Sequence, residues 1–377
     1  MSKCPDVDHG LYVEKITDTT VRLGMCCQSD LTEPVDTVDH NHPLLQKLRK
    51  TYLTDCTNCW NVEDRGGYSR RHGVIDWYKD RDIKSPQGLT TLDYNTQNVC
   101  NLACVSCGPR FSSRWVQENQ HHQFPDTTEK FKTHKNPLVN NLDLTSVQKI
   151  YFNGGEPLLS NDHKNILKQV TDLSKVDVKY QTNATQYPDD ETIDLWSQCR
   201  NVQMYFSLDA VNTAFEFVRW PAEWAQVSEN IIKIREQLPH VMFAITYTCG
   251  IHNLLYLDDT LDWYENHLAT NWLGDPSTFN FQLAGAMSYG GELLALKHAS
   301  DELVQHAMDQ FTTVKKYSFY SSLVEALKNT TPNNQWSSYL DALSLRRNTD
   351  WRHSLGRLAA YEEYVLCATL VRQRPTK

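Results

Sequence analysis

Cys100, Cys104 and Cys107 stand in one short run with Cys-x3-Cys-x2-Cys spacing. Three thiolates this close, with no fourth cysteine or histidine beside them, suit an iron–sulfur cluster in which one iron has no protein ligand. A closed structural site fills every metal position with side chains. One that leaves a position open can bind and activate a small molecule there. The run follows a predicted strand, Leu89 to Tyr94, and the alternative to a cluster is a zinc site completed by a distant ligand. The three cysteines make the chain a candidate enzyme.

A second run has the right chemistry to serve them. Lys149 to Phe152 reads as a short buried strand that leads into Asn153 and then Gly154, Gly155, Glu156 and Pro157. Without Cβ atoms the two glycines let the backbone turn sharply and approach a ligand closely, so that main-chain carbonyls can meet an amino group. Taken alone, Gly-Gly-Glu-Pro is an ordinary turn. Placed after a three-cysteine loop, between predicted strand and helix, it is more than that.

Together the two runs resemble the signatures of the radical S-adenosylmethionine (radical SAM) superfamily. Ser106 stands where many members carry an aromatic residue. The longer run through Gly108, Pro109, Ser113 and Trp115 is similar to a subgroup with twitch-type auxiliary domains. The resemblance implies that Cys100, Cys104 and Cys107 hold a 4Fe-4S cluster whose open iron is chelated by the amine and carboxylate of SAM. One electron from the reduced cluster then cleaves SAM to a 5'-deoxyadenosyl radical, which abstracts hydrogen from the substrate. It also implies SAM contacts at Gly154, Gly155, Glu156 and Pro157, at Ser207 and Asp209 in a Ser-x-Asp run, and at Asn183, where Ala184 replaces the family's glycine. Arg219 has the planar two-point geometry that suits a methionyl carboxylate; its other reading is a surface ion pair. Thr246, Thr248 and Cys249 end a further predicted strand, while Cys249, Cys199 and Cys367 also read as small buried residues.

The N-terminal section has its own thiols: Cys4, Cys26, Cys27, Cys56 and Cys59. Gly10 to Gly24 reads as a hairpin around an Asp-Thr turn. A helical stretch from Leu44 to Leu53, with Leu44, Leu45, Leu48 and Leu53 on one face, delivers the chain to the Cys56-x2-Cys59 pair. This arrangement is similar to the twitch or SPASM module of radical SAM maturases, here ahead of the core. The resemblance implies a second 4Fe-4S cluster on Cys4, Cys26 or Cys27, Cys56 and Cys59. Structural zinc uses the same ligands and spacing, and five thiols compete for four positions. The run from Trp60 to Arg71 reads either as a connector to the core or as a solvated helix and loop.

These elements set the expected architecture. From residue 89 onward, strand-like and helix-like segments alternate through Val176–Thr182, Val202–Asp209, Val241–Thr248 and Thr278–Leu283, which argues for a parallel sheet wrapped by helices. The predicted helices lie near Asn161–Leu173, Asp189–Gln198, Ala222–Leu238 and Leu254–Leu268. The fold expected is α/β: a partial (β/α)6 TIM-like barrel, residues 86–285, after an N-terminal cysteine-rich auxiliary module, 1–85, and before a helical C-terminal section, 286–377. The break at Ser85 to Gly88 marks the first boundary. Cofactor sites in such folds lie at the carboxyl ends of the strands.

Composition narrows the partners. A net charge of -9 argues against a general nucleic-acid surface, and the basic end from Arg372 to Lys377 reads as a solvated tail. With no leader at Met1 and no long apolar run, a cytoplasmic protein without membrane insertion is expected. The chain has eleven cysteines, and in a reducing setting cysteines serve as metal ligands in preference to disulfides. The resemblance implies a peptide or protein substrate and an external one-electron reductant of the flavodoxin or ferredoxin type. The competing readings are a dehydrogenase of a small molecule such as a sugar or nucleotide, and a non-catalytic metal-binding scaffold.

Overall fold

The computed structural model describes residues 3–15, 20–64, 68–84, 86–95, 98–121, 142–268, 279–283, 289–328 and 330–363. Ser85 at the expected boundary, the Gly66–Gly67 pair of the connector, Thr278, Cys367 and the basic end lie outside these.

Eight strands form one sheet: β1 Gly10–Lys15, β2 Val21–Gly24, β3 Thr91–Asn95, β4 Lys149–Phe152, β5 Asp177–Thr182, β6 Asn201–Ser207, β7 Val241–Cys249 and β8 Phe279–Leu283. Their order is β2-β1-β3-β4-β5-β6-β7-β8. All neighbours run parallel except the β1–β2 hairpin. The expected α/β sheet is therefore present. The hairpin also lies within it, because β1 pairs in register with β3, Tyr12 opposite Asp93.

Period-two alternation divides the sheet into two chemically opposite faces. Leu92, Ile150, Val178 and Val202 are in register on one face, and all are buried. Helices pack against it: Trp196 of the Asp190–Gln198 helix meets Tyr180, ring centroids 5.1 Å apart. The Trp224–Gln237 helix buries Val227, Ile231 and Ile234, spaced four and three residues apart on one stripe. The opposite face carries Asp93, Tyr151, Lys179 and Gln203 in register.

Two local expectations need correction. The stretch expected to be one helix over Leu44–Leu53 is two, Pro43–Lys50 and Tyr52–Asp55, and Leu44 and Leu53 are exposed, leaving Leu45 as the buried anchor. The helix expected over Asn161–Leu173 ends earlier, at Leu167, and a separate turn at Leu173–Lys175 leads into β5.

Candidate functional site

The cysteine loop follows β3, the Gly-Gly-Glu-Pro turn follows β4, Asn183 follows β5, and Ser207 and Asp209 end β6. Consecutive parallel strands thus bring these residues to one rim.

The loop is held by main-chain bonds from several sides. Ala103 N–H donates to Trp220 O (2.8 Å) and Val105 N–H to Val218 O (2.9 Å), tying it to the end of the Asn212–Val218 helix. Glu156 N–H donates to Val99 O at 2.7 Å. At Gly155 a Cβ would stand 2.2 Å from that same oxygen, so only glycine lets the turn lie on the loop. Gly154 has φ +113°, a second reason for glycine. From the far side, Ser113 Oγ donates to Cys100 O (3.1 Å), Trp115 Nε1–H to Cys104 O (2.9 Å) and Tyr339 Oη–H to Val105 O (2.9 Å).

All three thiols are unpaired. Burial raises their pKa, in the case of Cys107 to about 12. In the metal-free chain they are protonated, and binding a metal centre releases those protons. Among the described residues no three His, Cys, Asp or Glu side chains converge as ligands of a single metal ion.

Glu156 is fully buried and its carboxylate faces the protein. It accepts hydrogen bonds from Leu158 N (3.2 Å), Thr182 Oγ1 (2.8 Å) and Asn183 N (2.6 Å). Glu156 therefore fixes the end of β5. That brings Asn183 Nδ2 to 3.0 Å from Asn101 Oδ1 and 3.8 Å from Cys100 Sγ. Ala184 adopts φ +58°, the left-handed region the glycine would have favoured.

Burial raises the Glu156 pKa to about 7. The folded chain then binds more protons than the unfolded one between about pH 4.5 and 7. The associated stability is complete below an ordinary glutamate's pKa and is lost as pH rises through 7. Denaturant melts of the metal-free chain should show up to about 3 kcal/mol of decline over that window, and Glu156→Gln should remove most of it.

Arg219 is neither exposed nor in a surface ion pair. Its guanidinium contacts Asp209 Oδ2 at 2.6 Å and Cys104 Sγ at 3.7 Å, and Asp209 has no exposed area. Burial works against its charge, but Asp209, Cys104 and Cys107 together hold it above an arginine's ordinary pKa. Thr248 N–H donates to Asp209 Oδ1 at 2.8 Å, completing a buried link across β6 and β7. Ser207 Oγ accepts from Gln181 Nε2 (2.6 Å), and Gln181 Oε1 accepts from Tyr151 Oη (3.1 Å).

The N-terminal thiols separate. Cys4, Cys26, Cys56 and Cys59 line one cavity, together with Arg70 and Arg71, and Cys27 is not part of its lining. Burial and the Asp93 carboxylate push the Cys27 pKa well up, which places that thiol against β3 instead. The neighbouring Cys26 and Cys27 thus face different surroundings, a distinction that spacing does not carry.

Three supporting residues have no motif of their own. Tyr339 and Arg347 come from the Gln335–Arg347 helix. Arg347 pairs with Glu118 at 3.1 Å and lies over the rings of Trp115 and Trp220. The third, His252, is fully buried, and its pKa falls to about 3 through burial and the nearby Arg219 charge. Both its ring nitrogens, and Nε of Arg219, have no hydrogen-bond partner among the described residues. Three disulfide-free thiols, with the orphaned Nε of the Arg219 guanidinium that contacts Cys104, are a donor set whose chemistry fits a cluster and a polar ligand.

Residues 94–263 match the family model of the Radical SAM superfamily. Comparison with curated proteins gives no significant match. Among solved structures, hexahistidine-tagged anSMEcpe with bound AdoMet is similar at 12% identity and TM-score 0.37, over 64% of this chain and 60% of that one. SuiB of Streptococcus suis bound to S-adenosylmethionine is similar at 12% identity and TM-score 0.35, over 80% of this chain and 71% of that one. The first likeness spans less than two thirds of its partner's length, and at these scores neither bears on what this chain does. The family match runs from the end of β3 into the helix after β7, through the three cysteines, the Gly-Gly-Glu-Pro turn, Asp209 and Arg219, and over this part the chain is similar to the radical SAM superfamily.

Proposed function

We propose that the chain is a radical SAM enzyme of the maturase type that abstracts hydrogen from a peptide or protein substrate. The observation that carries this reading is the cysteine loop: fixed by hydrogen bonds to other segments, it leaves its three thiols free of disulfides on the rim where Asn183 reaches Cys100 and Arg219 reaches Cys104. A 4Fe-4S cluster on Cys100, Cys104 and Cys107 together with SAM supplies reductive carbon–sulfur cleavage and hydrogen abstraction when bound.

The remaining work falls to the chain's own groups. Gly154 and Gly155 bring main chain against the loop, and Glu156 and Pro157 hold the turn that positions Asn183. The buried Asp209–Arg219 pair keeps a cation beside Cys104, opposing the charge that the ligating thiolates develop. The polar face, with Ser207, Gln181 and Tyr151 in one hydrogen-bonded line, orients substrate, and the apolar face with its helices keeps water from the other side. Anaerobic reconstitution with iron and sulfide, followed by SAM and dithionite, tests the reading through 5'-deoxyadenosine. A fully iron-loaded chain that makes none would overturn it.

The second part of the proposal is an auxiliary 4Fe-4S cluster in residues 1–85. Its ligands are Cys4, Cys26, Cys56 and Cys59, which share the cavity, and four protein ligands favour electron transfer over substrate coordination. Cys27→Ser should leave metal content unchanged at about eight irons per chain, whereas Cys26→Ser should bring it toward about four. Iron and zinc measured per chain decide between the metals, and equal losses in both variants would contradict this ligand set.

A further inference from the structure

The polar face of the sheet has a surplus of positive charge in the amino-terminal half of its strands. Lys149 opens β4 and Lys179 lies within β5. The register sets Lys149 opposite Asp177 and Tyr151 opposite Lys179, so the two lysines are diagonal neighbours on one face. Both are half-buried. Neither has a carboxylate within 4.0 Å among the described residues, although such pairs surround them. Asp177 is taken by Arg81 at 3.0 Å and Arg200 at 2.8 Å, and Asp93 by Arg70 at 3.4 Å.

Each lysine meets an aromatic ring instead. Lys149 Nζ lies 4.8 Å from the ring centre of Trp77, and Lys179 Nζ lies 4.7 Å from that of Tyr205 while donating to Tyr205 Oη at 3.0 Å. Rings attract a cation without neutralising it. Placing two like charges side by side under partial burial is unfavourable. Burial and mutual repulsion accordingly lower the pKa of Lys149 to about 8, and burial with the nearby Arg70 does the same for Lys179. Arrangements of this kind are stable when an anion completes them.

We infer that Lys149 and Lys179 form a binding site for an anionic group of the substrate, a carboxylate or a phosphate. The inference rests on the proposed radical SAM reading only in calling that ligand the substrate. Lys179 lies four residues before Asn183, roughly 13 Å along β5. A substrate anchored by its acid group at the lysines would therefore extend along the Tyr151–Gln181–Ser207 line toward the cysteine loop.

Equilibrium dialysis of the full chain against labelled inorganic phosphate and, separately, labelled glutarate tests this without any cluster chemistry. One saturable site per chain is expected in at least one arm, and the stronger arm identifies the acid. Lys149→Met and Lys179→Met should each weaken that site about tenfold or more. Both variants should fold, since each removes a half-buried charge that lacks a carboxylate partner among the described residues, and thermal melting no lower than that of wild type checks this. Lys233→Met is the matched control, because Lys233 also lies over a ring, that of Tyr187 at 4.1 Å, but on the surface; binding should be unaltered. No saturable binding of either anion, or equal binding in all three variants, would overturn the site. Failure of the enzyme reading itself shows separately, as absent 5'-deoxyadenosine.

Discussion

Cys104→Ala is expected to abolish 5'-deoxyadenosine formation from SAM and dithionite, while Cys59→Ala leaves some of it. Cys104 is the most enclosed of the three loop thiols. Its carbonyl accepts from Trp115, and both its flanking amides are bonded at the end of the Asn212–Val218 helix, to Val218 and Trp220. The backbone is thus held on both sides of the lost sulfur. The fall should exceed the 10–100-fold that loss of an outer-shell partner typically causes, so ~100-fold is its lower bound. Cys59 belongs to the other cavity and reaches the reaction only through the proposed auxiliary centre. Product yield per reconstituted chain measures both variants. An unchanged yield in Cys104→Ala would remove the cluster from this loop. Cys104→Ser, which keeps the shape of the side chain, separates loss of ligation from loss of folding.

Arg219→Met should destabilise the metal-free chain by about 3–5 kcal/mol, because it leaves the Asp209 carboxylate buried and uncompensated. The double variant Asp209→Asn/Arg219→Met should recover much of this, since asparagine can still accept from Thr248 N–H and brings no charge. Urea melts of wild type, both single variants and the double variant measure the coupling. A guanidinium whose main partner is a bound carboxylate would behave differently: Arg219→Met would melt like wild type and change only the SAM concentration needed for half-maximal activity. The 2.6 Å contact with Asp209 favours the first result.

Much of this architecture is legible in the residues, for identifiable reasons. The strands of the core are short and alternate cleanly, so their positions follow from period two, and the Asp190–Gln198 helix is announced by Asp189, whose carboxylate caps Thr192 N at 2.9 Å. The cysteine loop and the glycine turn carry their chemistry in their composition. Other features depend on partners far away in sequence. Nothing local shows that Glu156 faces inward to Thr182 and Asn183, or that Arg219 is matched by Asp209. Cys26 and Cys27 are chemically identical in sequence, and only the turn after β2 sends them to different places. The Leu44–Leu53 stretch misleads because its leucines fit helical spacing, yet Thr51 divides the helix and Leu53 is 66% exposed. Tyr339 and Arg347 have no signature, since their value comes from the loop they reach, and His252 has none because its surroundings are set by the distant Arg219.

The pairing of β1 with β3 has a mechanical consequence. Were the two groups of thiols joined by a flexible tether, their separation would fluctuate with its entropy. Here a ladder of main-chain hydrogen bonds joins the hairpin that precedes Cys26 to the strand that leads into the cysteine loop, so the spacing of those two segments is set by the backbone and not by a tether.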